Sequence, residues 1–270
     1  MMHSLQQYLE IPVGRERIAA ALHVPNANRL TAASPVVVYA HGLTGTRLGS
    51  SCRSVALARR LVEMNIACLR FDFRGCGESE GRFQDVTPAK LVDDLQAAVR
   101  ALDHAAGCDP TRIAIVASSY GAYTTALSIE SLSAVRALVF WAPVAFPRRL
   151  VERDMTPAAW EFINANGWVE HFGHRMGRGF IEGIPEHDAP ARLAASPRPL
   201  LVMHGAGDRH VPVDHGRAYV EKMRPADGNA RIVELDTEDH GMRSVGMNER
   251  LIEESAAWCR RFLHPETTPC

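Results

Sequence analysis

The sequence has no surplus of charge and no apolar run long enough to cross a lipid bilayer. Its 270 residues include 30 Lys and Arg and 31 Asp and Glu, which gives a formal net charge of −1. Proteins that bind nucleic acid or an anionic membrane usually carry basic patches, and a membrane-spanning helix needs roughly 20 apolar residues in a row. We therefore expect neither nucleic acid nor a membrane as a partner.

Signals for export and for disulfide bonding are also lacking. Residues 1–10 are too polar to form the apolar core of a signal peptide. The cysteines are scattered and none forms a C-x-x-C pair, which is typical of free thiols in a reducing compartment. We expect a cytoplasmic protein without disulfide bonds. The six cysteines are Cys52, Cys68, Cys76, Cys108, Cys259 and Cys270.

The sequence has no clear motif for a metal ion or an organic cofactor. His171 and His174, with His187 beyond them, come nearest to a metal-binding set. They lack the H-E-x-x-H spacing and the cysteine partners that zinc sites commonly use. We therefore expect neither a metal ion nor a cofactor. The chain also shows no internal repeat, and nothing in it indicates an oligomeric state.

What the sequence does have is a regular alternation of short apolar runs with amphipathic segments. Hydrophobic residues make up 46% of the chain and charged residues 23%, which is enough for one full hydrophobic core. Strands that alternate with helices are typical of a parallel sheet covered on both faces. We predict a single α/β domain over residues 1–270, with a mostly parallel central sheet and helices on both of its faces.

The expected elements follow from this alternation. Residues 5–13 and 16–24, joined at Gly14, predict an antiparallel hairpin at the edge of the sheet. Thr87 is a plausible N-cap because Pro88 follows it at the first helical position. Further strands are expected at residues 36–40, 67–71, 112–116, 137–140, 199–203 and 231–235. Further helices are expected at residues 50–64, 122–130 and 248–263.

One turn carries the strongest functional signal. Ser119 follows a predicted strand and precedes a predicted helix, with Ala117 and Gly121 two positions to either side. A nucleophile elbow, the tight strand-to-helix turn that presents a catalytic serine, needs small residues at those flanking positions. The adjacent Ser118 would be flanked by a valine and a tyrosine, which are too bulky. We therefore predict that Ser119 is the nucleophile.

An acid and a histidine follow this serine in the order that such a hydrolase needs. Asp208 lies in a glycine-rich turn after the strand predicted at 199–203, and His240 lies in the loop after the strand predicted at 231–235. The carboxyl ends of parallel strands share one edge of a sheet, so all three side chains are expected at that edge. We predict a triad of Ser119, His240 and Asp208.

These motifs resemble those of the α/β-hydrolase family over most of the chain. The resemblance rests on H-G-L-T-G at residues 41–45, D-F-R-G-C-G-E-S at 72–79, the serine turn, H-G-A-G-D at 204–208 and D-H-G at 239–241. The pattern looks most like the esterase branch that includes bacterial cinnamoyl and feruloyl esterases. The resemblance implies a carboxylic ester hydrolase that needs no cofactor. It also implies that the backbone N–H groups of Leu43 and Tyr120 form the oxyanion hole.

Residues 144–197 interrupt the alternation and are rich in Pro, Gly and aromatic residues. They lie between two strand ends that border the expected site, and long insertions in compact domains usually have a function. We predict a cap over the active site that excludes water. Trp160 and Trp168 are expected to wall a pocket for an apolar or aromatic group of a small ester. The alternative is an ordinary helical excursion that packs its aromatic residues into the core.

Some assignments remain open from the sequence. Asp72 is an alternative acid because it also follows a predicted strand, although a structural role paired with Arg74 is favoured. Cys76 would suggest a cysteine hydrolase if the elbow did not hold a serine. Thioesterases and peptidases can use the same triad, and a non-catalytic ligand-binding member of the fold is a further alternative. A peptidase would need acidic residues to hold a free amino terminus, for which the candidates are Glu152, Asp154, Glu161 and Glu182.

Overall fold

An eight-stranded sheet runs through the centre of the computed structural model, which describes residues 5–25, 33–184, 188–227 and 229–264. In chain order the strands are β1 (Leu5–Val13), β2 (Glu16–Val24), β3 (Ser34–Ala40), β4 (Ala67–Phe71), β5 (Cys108–Ser118), β6 (Val135–Trp141), β7 (Trp168–His171), β8 (His174–Gly177), β9 (Leu200–Gly205) and β10 (Ala230–Leu235). The sheet has the order β1-β2-β4-β3-β5-β6-β9-β10, and β7 pairs with β8 in a separate hairpin. His187 and Cys270, named above, lie outside the described residues.

The strand directions confirm the predicted, mostly parallel sheet. The hairpin expected at the edge pairs β1 with β2 in register from Leu5↔Val24 to Val13↔Glu16. Strand β2 joins β4 in antiparallel fashion, and every later neighbour, from β4 through β3, β5, β6 and β9 to β10, is parallel. Parallel neighbours need crossover connections, and these carry the helices onto the two faces.

Strand β3 shows why the apolar runs are continuous rather than alternating. Val36, Val37 and Val38 are all fully buried. Val36 and Val38 belong to the core on one face of the sheet, and Val37 belongs to the core on the other face. A strand covered on both sides favours apolar residues at nearly every position, which is the pattern that residues 36–40 show.

Five helices cover the two faces of the sheet. They are α1 (Arg53–Glu63), α2 (Pro88–Arg100), α3 (Tyr120–Ser128), α8 (Asp214–Asp227) and α9 (Val245–Leu263). The apolar residues of α1 and α9 join one core, and those of α2, α3 and α8 join the other. Thr87 caps α2 as predicted, because its Oγ1 accepts the N–H of Lys90 at 3.2 Å while Pro88 occupies the first helical position.

Several element boundaries differ from the expected ones. Helix α1 is preceded by a 3₁₀ turn at Ser50–Cys52, so the helix predicted at 50–64 begins three residues late. Helix α9 begins earlier than expected, since Ser244 caps it by accepting the N–H of Met247 at 3.3 Å. Strand β5 begins at Cys108, four residues before the strand predicted at 112–116. Helix α8 was not predicted.

The predicted insert forms a small unit between β6 and β9. It contains α4 (Pro147–Asp154), α5 (Pro157–Asn166), the β7–β8 hairpin, α6 (Arg178–Glu182) and α7 (Ala189–Ala194). The helices are short, and α4 and α5 each begin with a proline at the first turn. Gly167 ends α5 in a left-handed conformation (φ 78°), where glycine carries no steric penalty.

Candidate active site

The three predicted triad residues lie at one edge of the sheet, each just beyond the carboxyl end of a strand. Ser119 follows β5, Asp208 follows β9 and His240 follows β10. Strands β5 and β9 flank β6, and β10 lies beyond β9, so all three loops open on the same side. This edge is where open parallel sheets build their sites.

Ser119 occupies a strained turn between β5 and α3. Its backbone has φ 51° and ψ −117°, a conformation that residues other than glycine rarely adopt. A Cβ atom at Gly121 would lie 2.5 Å from the carbonyl oxygens of both Ala40 and His41. One at Gly42 would lie 3.0 Å from the Cβ of Ser119. The space around the turn therefore requires the small flanking residues that the sequence shows.

A chain of hydrogen bonds joins the three side chains. The Oγ of Ser119 lies 3.1 Å from Nε2 of His240. The Nδ1 of the same imidazole lies 2.6 Å from Oδ2 of Asp208. The Asp208 side chain is fully buried, whereas that of His240 is 25% exposed and faces the cavity. The imidazole of His240 thus lies between the hydroxyl of Ser119 and the carboxylate of Asp208.

The environment of Asp208 keeps its carboxyl ionised. Its Oδ1 accepts the backbone N–H groups of His210 and Val211 at 2.9 Å each. The Nε2 of His204 lies 3.4 Å from Oδ2 and 2.9 Å from the carbonyl oxygen of Val211. Burial alone would oppose ionisation, but the hydrogen bonds from His204 and His240 outweigh it and lower the pKa of Asp208 well below its usual value.

A buried histidine, His41, holds the backbone next to Leu43. The Nε2 of His41 accepts the N–H of Phe73 at 3.0 Å, so its Nδ1 carries the hydrogen and donates to the carbonyl oxygen of Gly42 at 2.7 Å. Burial lowers the pKa of His41 and keeps the ring neutral.

Tyr120 is the first residue of α3, where a helix has N–H groups without intrahelical partners. Both Leu43 and Tyr120 line the cavity beside the serine.

Asp72, the alternative acid, is engaged elsewhere. Its buried carboxylate forms an ion pair with the guanidinium of Arg47 and accepts the N–H of Glu78 at 3.1 Å. The predicted pairing of Asp72 with Arg74 is wrong, because Arg74 donates from Nε to Asp94 at 2.5 Å. The structure thus gives Asp72 a role in holding the 72–79 turn.

Cys76 lies in the same 72–79 turn and is buried. Burial raises the pKa of its thiol to about 12, so little of the reactive thiolate forms at neutral pH. This environment gives no support to the alternative of a cysteine hydrolase.

A cavity of about 800 Å³ opens over Ser119 and His240. One wall comes from the loops after β3 and β5, and the other comes from the insert. The insert contributes mostly apolar side chains. They include Leu150, Val151, Met155, Met176, Phe180 and Ile181.

The prediction that Trp160 and Trp168 wall the substrate pocket is wrong. Neither Trp160 nor Trp168 lines the cavity. Trp160 is 40% exposed, and Trp168 packs edge-to-face on Phe162 with ring centroids 5.1 Å apart. Their chain neighbours Ala159 and Val169 face the cavity instead. Adjacent residues of a helix or strand point in different directions, so a shift of one position along the chain changes which side chain faces the cavity.

Two arginines that the sequence analysis did not select support the site loops. Arg53 is buried and donates to the carbonyl oxygens of Gly241 at 2.5 Å and Met242 at 2.9 Å, directly after His240. Arg153 donates to the carbonyl oxygens of Arg209 and His210, directly after the acid. Nothing in the chain near either arginine marks these long-range partners.

Within the described ranges, no cluster of three or more His, Cys, Asp or Glu side chains is arranged to hold a metal ion. In the hairpin, His171 lies opposite His174. No helix of that same part of the chain combines the length and the apolar character that crossing a bilayer requires.

The strand order and the helices on both faces define an α/β-hydrolase fold, which confirms the predicted fold. Residues 54–266 match the Prolyl oligopeptidase family, and the chain belongs to that family.

The chain is similar in sequence to known proteins and in fold to solved structures. The quorum-quenching protein AidA of Acinetobacter baumannii is 39% identical over 110 residues, which are 38% of this chain and 34% of that protein. The uncharacterized protein YfhR of Salmonella typhimurium is 28% identical over 70% of this chain and 60% of its own length. The chain thus spans less than two thirds of either relative. Est1E from Butyrivibrio proteoclasticus, solved with ferulic acid bound, superposes with a TM-score of 0.77 at 20% identity, covering 93% of this chain and 98% of that one.

Proposed function

We propose that this protein hydrolyses carboxylic esters through an acyl-enzyme, with Ser119, His240 and Asp208 as its catalytic triad. The observation that carries the proposal is the hydrogen-bonded chain from Ser119 Oγ through His240 to Asp208, with distances of 3.1 Å and 2.6 Å. A neutral hydroxyl is a weak nucleophile, and an adjacent base activates it. The three groups also lie together at the same edge of the sheet, which supports this assignment.

In the acylation step, the Oγ of Ser119 bonds to the ester carbonyl carbon while Nε2 of His240 takes the serine proton. His240 then gives that proton to the oxygen of the leaving alcohol as the carbon–oxygen bond breaks. Asp208 fixes the imidazole with its hydrogen on Nδ1 and stabilises the imidazolium that forms. The low pKa of Asp208 suits this task, since the carboxyl stays ionised throughout.

In the second step, a water molecule gives a proton to His240 and attacks the acyl carbon. His240 then returns this proton to the Oγ of Ser119 as the bond between Oγ and the acyl carbon breaks, which releases the acid and restores the free serine. Both steps build negative charge on the former carbonyl oxygen. We assign its stabilisation to the N–H groups of Leu43 and Tyr120, two residues that line the same cavity as Ser119. One such donor typically contributes about 100- to 1000-fold in rate.

The cavity supports a substrate with an apolar group. Its volume of about 800 Å³ lies within the usual range for small-molecule sites, roughly 300–1,000 Å³. We propose that the insert at residues 144–197 acts as a cap, because it supplies the apolar wall facing the serine. An apolar acyl or alcohol group would be buried there while the ester lies at Ser119.

A peptidase is the second candidate, favoured by membership of the Prolyl oligopeptidase family. Of the four acidic residues considered for holding an amino terminus, Asp154 lines the cavity. Its carboxylate is already paired with Arg153 at 2.6 Å, which weakens its use as an amine anchor. A panel of esters, thioesters and amides with a common acyl group would separate these activities.

The test of the nucleophile uses the two adjacent serines as a matched pair. Ser119→Ala should abolish ester hydrolysis and labelling by a fluorophosphonate probe, because the attacking oxygen is gone. Ser118→Ala should keep most of both, because Ser118 ends β5 and its backbone pairs with the next strand at Trp141. Mass spectrometry locates the label, and label on Ser118 would contradict the assignment.

A further inference from the structure

A row of aromatic rings begins at His240 and follows the cavity mouth. The ring of His210 lies 5.2 Å from that of His240, and the ring of Phe172 lies 5.0 Å from that of His210. His171 continues the row, 4.7 Å from Phe172. All of these residues line the cavity. We call His171, Phe172 and His210 the ring shelf.

Two separate elements build the ring shelf. Phe172 and Gly173 form the tip of the β7–β8 hairpin, and both have positive φ angles of 48° and 78°. This turn leaves Phe172 65% exposed, although its ring packs between two histidines. His210 belongs to the loop of the triad acid, where its N–H donates to Asp208. The ring shelf therefore joins the insert to the catalytic loop.

The histidines of the ring shelf present neutral rings at neutral pH. Desolvation and the neighbouring His210 lower the pKa of His171. Desolvation and the neighbouring His240 lower the pKa of His210. Neutral imidazoles beside a phenyl ring form a surface suited to flat aromatic groups, which gain from offset or edge-to-face contacts.

The chemistry of the proposed reaction decides which part of a substrate meets this surface. His240 must deliver its proton to the oxygen of the leaving alcohol, so that oxygen lies next to His240. The alcohol group therefore extends from Ser119 toward the histidine, where the ring shelf begins. The acyl group, bonded to Ser119, takes the remaining part of the cavity.

We propose that the ring shelf binds the alcohol portion of the substrate and selects esters of planar aromatic alcohols. This inference rests on the proposed ester hydrolysis and adds its leaving-group specificity. Phe172 is the specificity-determining side chain, since it is 65% exposed at the cavity and belongs to the insert rather than to the triad loops.

The experiment compares benzyl butanoate with cyclohexylmethyl butanoate. The two alcohols are similar in size, but only one is flat and aromatic, and the acyl group is shared. The ratio of kcat/KM for the two esters is measured for the wild type and for Phe172→Leu and Phe172→Tyr. Phe162→Leu is the matched control, because Phe162 is a half-exposed ring of the insert that does not line the cavity.

We expect the wild type to prefer the benzyl ester and Phe172→Leu to reduce that preference by about 2- to 10-fold, the range of one aromatic contact. Phe172→Tyr should retain the preference because it keeps the ring, and Phe162→Leu should retain it as well. An equal rate on both esters, or an unchanged ratio in Phe172→Leu, overturns the proposal while leaving ester hydrolysis intact. Absence of turnover on both esters, with no phosphonate label on Ser119, contradicts the proposed function itself.

Discussion

Replacement of Asp208 with asparagine would remove the charge of the proposed triad acid while keeping its shape. The Oδ1 atom of Asp208 accepts the N–H groups of His210 and Val211 at 2.9 Å, and Oδ2 lies 2.6 Å from Nδ1 of His240. An asparagine that keeps both backbone hydrogen bonds must place its amide oxygen at the Oδ1 position. Its NH₂ group then faces His240, where the wild type presents an acceptor.

Two donors would meet at this contact unless His240 changes its tautomer. An imidazole whose Nδ1 accepts from the asparagine carries its hydrogen on Nε2, the atom that lies 3.1 Å from Ser119 Oγ. That nitrogen can no longer take the serine proton, so the general base is lost although every atom stays near its place. In the triad of another serine hydrolase the same substitution lowers kcat by about 10⁴, which is roughly 5 kcal/mol of activation free energy. We expect a loss of this order.

The assay measures kcat on a short-chain ester together with a thermal melt of the same sample. Asp72→Asn is the comparison variant, because Asp72 is the other buried carboxyl that follows a strand of this edge. It is paired with Arg47, so its loss should lower the melting temperature and leave kcat of the folded fraction near that of the wild type. A folded, silent Asp72→Asn beside an active Asp208→Asn would refute this reasoning.

Two further predictions concern buried polar groups away from the reacting atoms. Burial lowers the pKa of both His23 and His215 from 6.5 to about 4. The free energy of unfolding is therefore at its full value above pH 6.5 and falls as the pH drops from 6.5 through 4, by on the order of 3 kcal/mol per histidine. Urea unfolding at neutral pH and near pH 4 measures this loss, and His215→Gln with an undiminished loss would speak against it. Arg53→Met should lower kcat about 10- to 100-fold because the loop of His240 loses two hydrogen bonds. Arg60→Met changes an arginine on the exposed side of the same helix and should keep a kcat near that of the wild type. An unchanged kcat in Arg53→Met would mean that Arg53 contributes to stability and not to catalysis.

The central sheet was predictable because its signals are local. The run at residues 67–71 is apolar except for Arg70, and the structure places β4 at those same residues. The relative placement of Ser119, Asp208 and His240 followed from one rule, that parallel strands end on the same side. Chain order and small flanking residues then gave one candidate nucleophile and one candidate acid among several serines and acidic residues.

What could not be predicted depends on side-chain direction and on long-range pairing. The insert was recognised by its composition, but composition does not decide that Val169 rather than Trp168 faces the cavity. Arg74 lies nearer to Asp72 in the chain than Arg47 does, yet the fold pairs Arg47 with it. Helix α8 carries Gly216 in its first turn, a residue that weakens a helix and is tolerated here because it packs closely against His204.

One side chain links the insert to the loop of Asp208, the proposed triad acid. Arg153, in the last turn of α4, donates to the carbonyl oxygens of Arg209 at 3.2 Å and His210 at 3.0 Å. The N–H of His210 in turn donates to Asp208, whose other oxygen holds His240. A shift of α4 would therefore move the loop that orients the imidazole. Because the same helix also contributes apolar side chains to the cavity wall, the position of the insert and the alignment of the triad are set together.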